Sequence, residues 1–452
     1  MRRTAQPPAV PERDVSRRLP ALDTLMAVGQ EACGTSFSLA VVATVQGAAP
    51  QIGELRDRVE QYWAPPPRLR LRRHADENAP GTGRWTEAAH LDPAEHVSVV
   101  PARPGVTTAE VTGTLVTERM PRVPGGALWH LHLLPDTAPE RFTLVLRAHH
   151  ALLDMASLGT MMRALCDGPG ALPALPPYPE ATSPAFRPRR GVPPVVHALC
   201  GMTRRSAGPT DAPPDRGNRH IAWATVQDEV VQAAREAAPL LRATVNDVVL
   251  AAFAGALGVL PAGLSPAASG GRRYVSVPVN LRSPSEAERL GNGASAVRIP
   301  LPPAAADPVT RLRAVHRAMA RNKALHRAEG AARLSAAAVQ LPAPALASFS
   351  RSYFGRRRLY SLVCSNARLC ADRLTFGGSP VISLFGVPPL LPGAGMQAMF
   401  TTFRETHTVC LSGDDARQPL LQSTADRFVE EVRALATLAR RGVRRHHSTA
   451  HT

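Results

Sequence analysis

Aromatic residues make up only 4% of this 452-residue chain. No aromatic-studded basic strand, helix-turn-helix or zinc-finger spacing appears, so a nucleic-acid role is not expected despite the basic composition. The six cysteines (Cys33, Cys166, Cys200, Cys364, Cys370, Cys410) form no Cys-x-x-Cys pair. They read as reduced thiols of a cytoplasmic protein, used mostly as small buried hydrophobes. There is no His-Glu-x-x-His pattern for a metalloenzyme, and no internal repeat. The start, Met1-Arg2-Arg3, is followed by no apolar core of a signal peptide. The best candidate for a membrane span, Val245 to Leu264, carries Asn246 and Asp247 at one end and Pro261 near the other. The expectation is a cytoplasmic protein whose contact with membranes, if any, is peripheral.

What remains is an ordinary globular composition, 44% hydrophobic and 20% charged, on a chain long enough for two lobes. The net charge of +17 favours acidic partners: phosphate-bearing cofactors, carrier proteins or anionic lipid surfaces. Residues 1–18 read as a disordered N-terminal arm and 19–175 as an N-terminal lobe. The stretch 176–217, with prolines such as Pro177, Pro188 and Pro194 among arginines, reads as a crossover linker without regular structure. Residues 218–440 form a C-terminal lobe, and 441–452 a frayed basic tail. In the second lobe Ile221–Val226 and Tyr274–Val279 read as strands. Val309–Leu325 and Ala425–Leu438 have helical periodicity, and Thr244 or Asn246 can cap the helix that follows. The fold class expected is α/β.

Residues 145–157 carry the chemistry. An apolar strand-like run containing Phe142, Leu144, Val145 and Leu146 ends in His149 and His150, and Asp154 follows before a helical stretch from Ser157. An imidazole held where a strand gives way to a turn is poised to take a proton near neutral pH. The nucleophile it would activate is a hydroxyl or an amine. An aspartate one short turn later can fix the local geometry through a salt bridge or turn hydrogen bonds. The same residues also fit a polar loop with structural roles for His149 and Asp154, so the six residues alone leave both readings open.

Several further segments stand in order around this motif: Ala127-Leu128-Trp129, Val245-Asn246-Asp247-Val248-Val249-Leu250-Ala251, Pro278-Val279-Asn280-Leu281-Arg282 with Gly291-Asn292, Asp307-Pro308 through Lys323, and Ser365-Asn366. Together with His149-His150-x-x-x-Asp154 they resemble the bacterial wax ester synthase/diacylglycerol acyltransferase family over roughly residues 19 to 440. The resemblance implies two chloramphenicol-acetyltransferase-like lobes with a substrate tunnel at their interface. It implies His150 as general base, His149 as support, and Asp154 in an orienting salt bridge for which Arg282 is the candidate partner. Asn280, Ser365 and Asn366 are candidate oxyanion or supporting groups. Asn246 and Asp247 suit helix capping better than catalysis, and Trp129 suits a core. The chain departs from the family pattern at three places. Met155 replaces the motif glycine, Ala367-Arg368-Leu369 replaces a Pro-Gly-Pro, and a Ser-Tyr-x-Gly near Thr402-Phe403-Arg404 is missing. Methionine at 155 would be strained if that backbone needed positive φ, and otherwise lines or narrows the pocket.

Three functions are compatible with this pattern. The first is an O-acyltransferase moving a fatty acyl group from acyl-CoA to an alcohol or diacylglycerol, with acyl-CoA as substrate and no resident cofactor or metal. The second is a condensation-type ester- or amide-forming enzyme fed by coenzyme A or an acidic acyl carrier protein. The third is a non-catalytic ligand-binding protein of the same fold.

Overall fold

The computed structural model describes residues 12–15, 20–76, 78–121, 125–135, 140–175, 193–202, 218–261, 273–355, 362–392 and 395–449. The N-terminal half supplies β1 (Glu12–Asp14), β2 (Ser38–Gln46), β3 (Leu71–His74), β4 (Arg84–Ala88), β5 (Val97–Val99), β6 (Trp129–Pro135) and β7 (Arg141–His149). The C-terminal half supplies β8 (His220–Gln227), β9 (Arg273–Asn280), β10 (Ala294–Leu301), β11 (Leu362–Cys370), β12 (Thr375–Phe376), β13 (Ser379–Val387), β14 (Met396–Phe403) and β15 (Thr406–Gly413).

Two six-stranded sheets organise the molecule, in the orders β12-β13-β2-β7-β6-β5 and β10-β9-β11-β14-β15-β8. A small third sheet has the order β1-β4-β3. The central strands are β2 and β7, paired antiparallel from Ser38↔His149 to Gln46↔Arg141. Both are buried almost throughout. That is why they read as near-continuous apolar runs rather than alternating ones. In the second sheet β11 lies between β9 and β14, parallel to both.

Each sheet has its own core. Trp63 and Trp129 meet edge-on at 5.4 Å under the first sheet, and both are fully buried. Their indole N–H groups donate to Met161 O and Leu69 O, which satisfies the polar end of each buried ring. Trp129 is thus a core aromatic. Under the second sheet Phe253, Phe400 and Phe428 pack with the helices Val245–Ala256, Pro308–Ala324 and Gln418–Thr449. Thr244 caps the helix Val245–Ala256 reciprocally with Asp247, whose carboxylate also meets His316 at 3.0 Å. Asn246 and Asp247 therefore begin a core helix.

The structure differs from the expected division of the chain at four points. Inside the N-terminal arm, β1 pairs with β4, and Val15 is buried behind it; the rest of residues 1–18 lies outside the described residues. Inside the expected linker, Pro194–Met202 is a helix. Proline is tolerated in a first helical turn, where its missing N–H has no intrahelical partner anyway. Residues 176–192 and 203–217 lie outside the described residues. The closing helix runs from Gln418 to Thr449 and so continues through most of the expected tail. Finally, β12 and β13 come from the C-terminal half yet complete the first sheet, with β13 antiparallel to β2 from Val381↔Val45 to Val387↔Ala40. A boundary read from proline density cannot reveal a hairpin that crosses between sheets, because its residues are apolar in either home.

Candidate active site

The buried strand β7 ends at His149, and the chain turns at His150 through Leu152 into the helix Met155–Leu165. Nearly every residue of that helix is buried, and Gly159 lets it approach Leu369 of β11. The turn is tied down on the first lobe by backbone bonds: His150 N donates to Phe37 O at 3.0 Å, and His149 N to Leu128 O at 2.8 Å. Segment 36–38 is itself held by Arg219, whose guanidinium donates to Ser36 O and Ser38 O at 2.8 and 2.9 Å. Burial pushes this arginine down to about 9.

The two histidines have different environments. His149 is buried, and its Nδ1 accepts from Ala151 N at 2.9 Å, so the side chain closes the turn. Burial, then the neighbouring His150 and Arg73, lower it to about 3, which keeps it neutral. His150 is half-buried. Its Nδ1 meets Asn292 Oδ1 at 3.2 Å, and among the described residues its Nε2 has no hydrogen-bond partner.

Asp154 caps the helix Met155–Leu165, accepting from Ser157 N at 3.0 Å. Arg282 grips the same carboxylate through Nη1 at 2.6 Å and Nη2 at 3.0 Å. The two side chains are 8% and 6% exposed, so this is a buried bidentate pair. Burial alone would raise the Asp154 carboxyl. The Arg282 guanidinium and the N–H groups of Ser157 and Gly293 outweigh it and bring the group below the ordinary carboxylate value.

This pair also clamps the turn that carries Asn292. Arg282 Nη2 donates to Gly291 O at 2.7 Å, and Gly293 N donates to Asp154 Oδ2 at 3.0 Å. Gly291 N donates to Ser157 Oγ at 3.0 Å. Gly291 has φ +126°, and a Cβ there would sit 3.1 Å from the Arg68 guanidinium, so the position requires glycine on both counts. Behind the turn, Arg68 and the fully buried Asp23 form a second ion pair at 2.5 Å, and Arg68 Nε donates to Leu152 O. Burial raises Asp23 above the usual carboxylate range against the opposing pull of Arg68.

The structure thus brings His149, His150, Asp154 and Arg282 together. Asn280 is exposed, and its side chain accepts from Arg282 N at 3.0 Å. It shapes the turn that delivers Arg282. Ser365 and Asn366 stand half-buried and exposed on β11, and make no hydrogen bond to the cluster among the described residues. Sequence reasoning missed Asn292, Asp23, Arg68 and Ser157 as members of the site. Asn292 had a signal, its place in the Gly291-Asn292 motif, whereas Asp23 and Arg68 carried none.

Met155 is the first residue of its helix and is not among the residues with positive φ. It is therefore unstrained. A Cβ on Gly386 would lie 2.7 Å from the Met155 Sδ, well inside van der Waals contact, and 3.1 Å from Thr401 Cγ2. A glycine on β13 makes room for the methionine that replaces the motif glycine.

A half-buried histidine, with one ring nitrogen held from the second half of the chain and the other free among the described residues, flanked by buried ion pairs, defines a proton-transfer site in an α/β fold of two six-stranded sheets. The description "Wax ester synthase/diacylglycerol acyltransferase catalytic domain" matches residues 35–283, and "WS/DGAT C-terminal domain" matches residues 290–436. The chain belongs to the wax ester synthase/diacylglycerol acyltransferase family. A Mycobacterium tuberculosis protein named "Putative diacyglycerol O-acyltransferase" is 30% identical over 302 residues, which is 60% of this chain and 63% of that one. The match spans less than two thirds of that relative's length. The wax ester synthase/diacylglycerol acyltransferase of Marinobacter aquaeolei VT8 superposes with a TM-score of 0.62 at 19% identity, over 93% of this chain and 99% of that chain. The starter condensation domain of rhizomide synthetase, in complex with C8-CoA and Leu-SNAC, also gives 0.62 at 13% identity, over 93% and 94%. At these identities the likeness concerns the fold.

Among the described residues no helix is long and apolar enough to cross a membrane.

Proposed function

We propose that this protein transfers a fatty acyl group from acyl-CoA to the hydroxyl of an alcohol or diacylglycerol, with His150 as general base. The observation that carries the reading is His150 itself: half-buried at the end of a rigid central strand, one ring nitrogen held from the second lobe and the other free. Family membership supports acyl transfer as the reaction. The C8-CoA bound by the rhizomide condensation domain supports acyl-CoA as the donor.

In this reading donor and acceptor reach His150 along a tunnel at the inter-lobe interface. The imidazole removes the acceptor hydroxyl proton as the oxygen attacks the thioester carbonyl. The tetrahedral adduct collapses, the C–S bond breaks, and the imidazolium returns the proton to the departing thiolate of coenzyme A. Holding both substrates supplies proximity and orientation, so no covalent acyl-enzyme is needed. Cys166 and Cys364 are poor nucleophiles in any case, since burial pushes both thiols up to about 12. His149 keeps the turn closed, and Asp154 with Arg282 holds it against the second lobe. Neither the carrier-protein condensation reading nor the non-catalytic reading is favoured by a specific observation.

The test is thiol release from palmitoyl-CoA by the purified protein, with and without hexadecanol or dioleoylglycerol. Release that requires the acceptor, with the matching ester formed, is the expected result. Absence of ester with every alcohol acceptor, under conditions where the protein is folded, would contradict it.

A further inference from the structure

We infer that Asn292 is a positioning residue that fixes the tautomer of His150, holding the proton on Nδ1 and leaving the Nε2 lone pair as the base. The inference rests on the acyl-transfer reading for its consequence and on hydrogen-bond counting for its geometry. The Asn292 amide has two N–H donors on Nδ2 and one acceptor oxygen. Nδ2 lies 2.7 Å from His150 O and 2.8 Å from Asp23 Oδ1. A backbone carbonyl can only accept, so Nδ2 must face it. The flipped amide would set Oδ1 against two oxygens at once. With Nδ2 committed, Oδ1 is what faces His150 Nδ1, and the ring nitrogen must donate. Neutral imidazole carries one N–H, so Nε2 keeps its lone pair.

Asn292 belongs to the second half of the chain and His150 to the first. The tautomer is therefore set only when the two lobes are docked. The Asp154–Arg282 pair acts at this point, since it binds Gly291 O and Gly293 N on either side of Asn292. The charged groups near the two histidines include that pair, the Asp23–Arg68 pair behind Asn292, and, beside neutral His149, Arg119 and the Arg73–Glu31 pair. Arg282, Arg68 and Arg73 are each paired with a carboxylate. The amide is thus the group whose replacement changes the proton's position without leaving a buried charge unpaired.

The experiment compares Asn292→Ala and Asn292→Asp with the unaltered enzyme in the palmitoyl-CoA assay across pH. Asn292→Ala should lower kcat by about 10–100-fold, the scale measured when a group that orients a metal-bound histidine is lost, while KM for acyl-CoA changes little. Asn292→Asp keeps an acceptor for Nδ1 but sets its other oxygen against His150 O and Asp23 Oδ1, where the amide donates, so it should lower kcat as well. An Asn292→Ala enzyme with unaltered kcat would overturn the inference. Should these variants not fold, the unaltered protein labelled with 15N-histidine answers the question. The resonance pair missing from His150→Ala should show protonated Nδ1 and bare Nε2 at pH 8, and the opposite tautomer overturns it. If instead His150→Ala still turns over, the base reading has failed, and the 15N measurement continues to judge the tautomer separately.

Discussion

Replacing Arg282 with methionine leaves the Asp154 carboxylate buried without its counter-ion. The pair is less than a tenth exposed on either side and bidentate. Removing one partner of such a pair costs about 3–5 kcal/mol, mostly the penalty of stranding the other charge. Ser157 N and Gly293 N still donate to Asp154 in the variant, so the lower figure is the better expectation. Unfolding entropy scales with chain length, and for a chain this size each kcal/mol moves Tm by about 1 °C. A drop of roughly 3 °C is expected in a differential scanning experiment at pH 7.5. The pH dependence is the sharper part. In the unaltered protein Asp154 is held below its ordinary value. Its contribution is present above the unfolded carboxylate pKa and is lost only as pH falls through that lowered value. Without Arg282 burial dominates and the carboxyl rises, so the variant is relieved by protonation. Its deficit should shrink as pH is lowered from 8 to 5. Asp154→Asn combined with Arg282→Met should be less destabilised than the two single variants added together. An unchanged Tm at pH 7.5, or a deficit that grows toward pH 5, would refute the reasoning.

Acid stability provides a second prediction. His149 and His96 are lowered by burial to about 3 and about 4. The unfolded chain therefore binds protons that the folded one refuses, and stability is full above the unfolded histidine value and falls as pH drops below it. Tm should hold from pH 7.5 to about 6.5 and then decline toward pH 4.5, and a profile flat throughout would contradict the neutral assignment of His149. A third prediction concerns packing at β13. Gly386→Ala should cost about 1–3 kcal/mol by driving a methyl into Met155, and pairing it with Met155→Ala should recover part of the loss in a chemical-denaturation series.

How much of this was legible differs by element. The buried strand β7 announced itself as an apolar run, and two helices of the second lobe by the cap at Thr244 and by the periodicity of Val309–Leu325. The Asp154–Arg282 partnership could be anticipated from the resemblance and from the place of Arg282, just after the strand-like Tyr274–Val279 in the second lobe. What escaped is of another kind. Asp23 and Arg68 sit far apart in sequence and look like any helix acid and loop base until the fold buries them together. The transfer of β12 and β13 to the first sheet depends on register against β2, which no local pattern encodes. The methionine at 155 could be judged only with Gly386 in view, 231 positions later.

The central claim is that His150 is the base, and a single substitution tests it most directly. Turnover of palmitoyl-CoA with hexadecanol at saturating substrate should fall by about 100–10,000-fold in His150→Ala, while the melting curve and acyl-CoA affinity remain those of the unaltered protein. Turnover within a few-fold of the original would contradict the account.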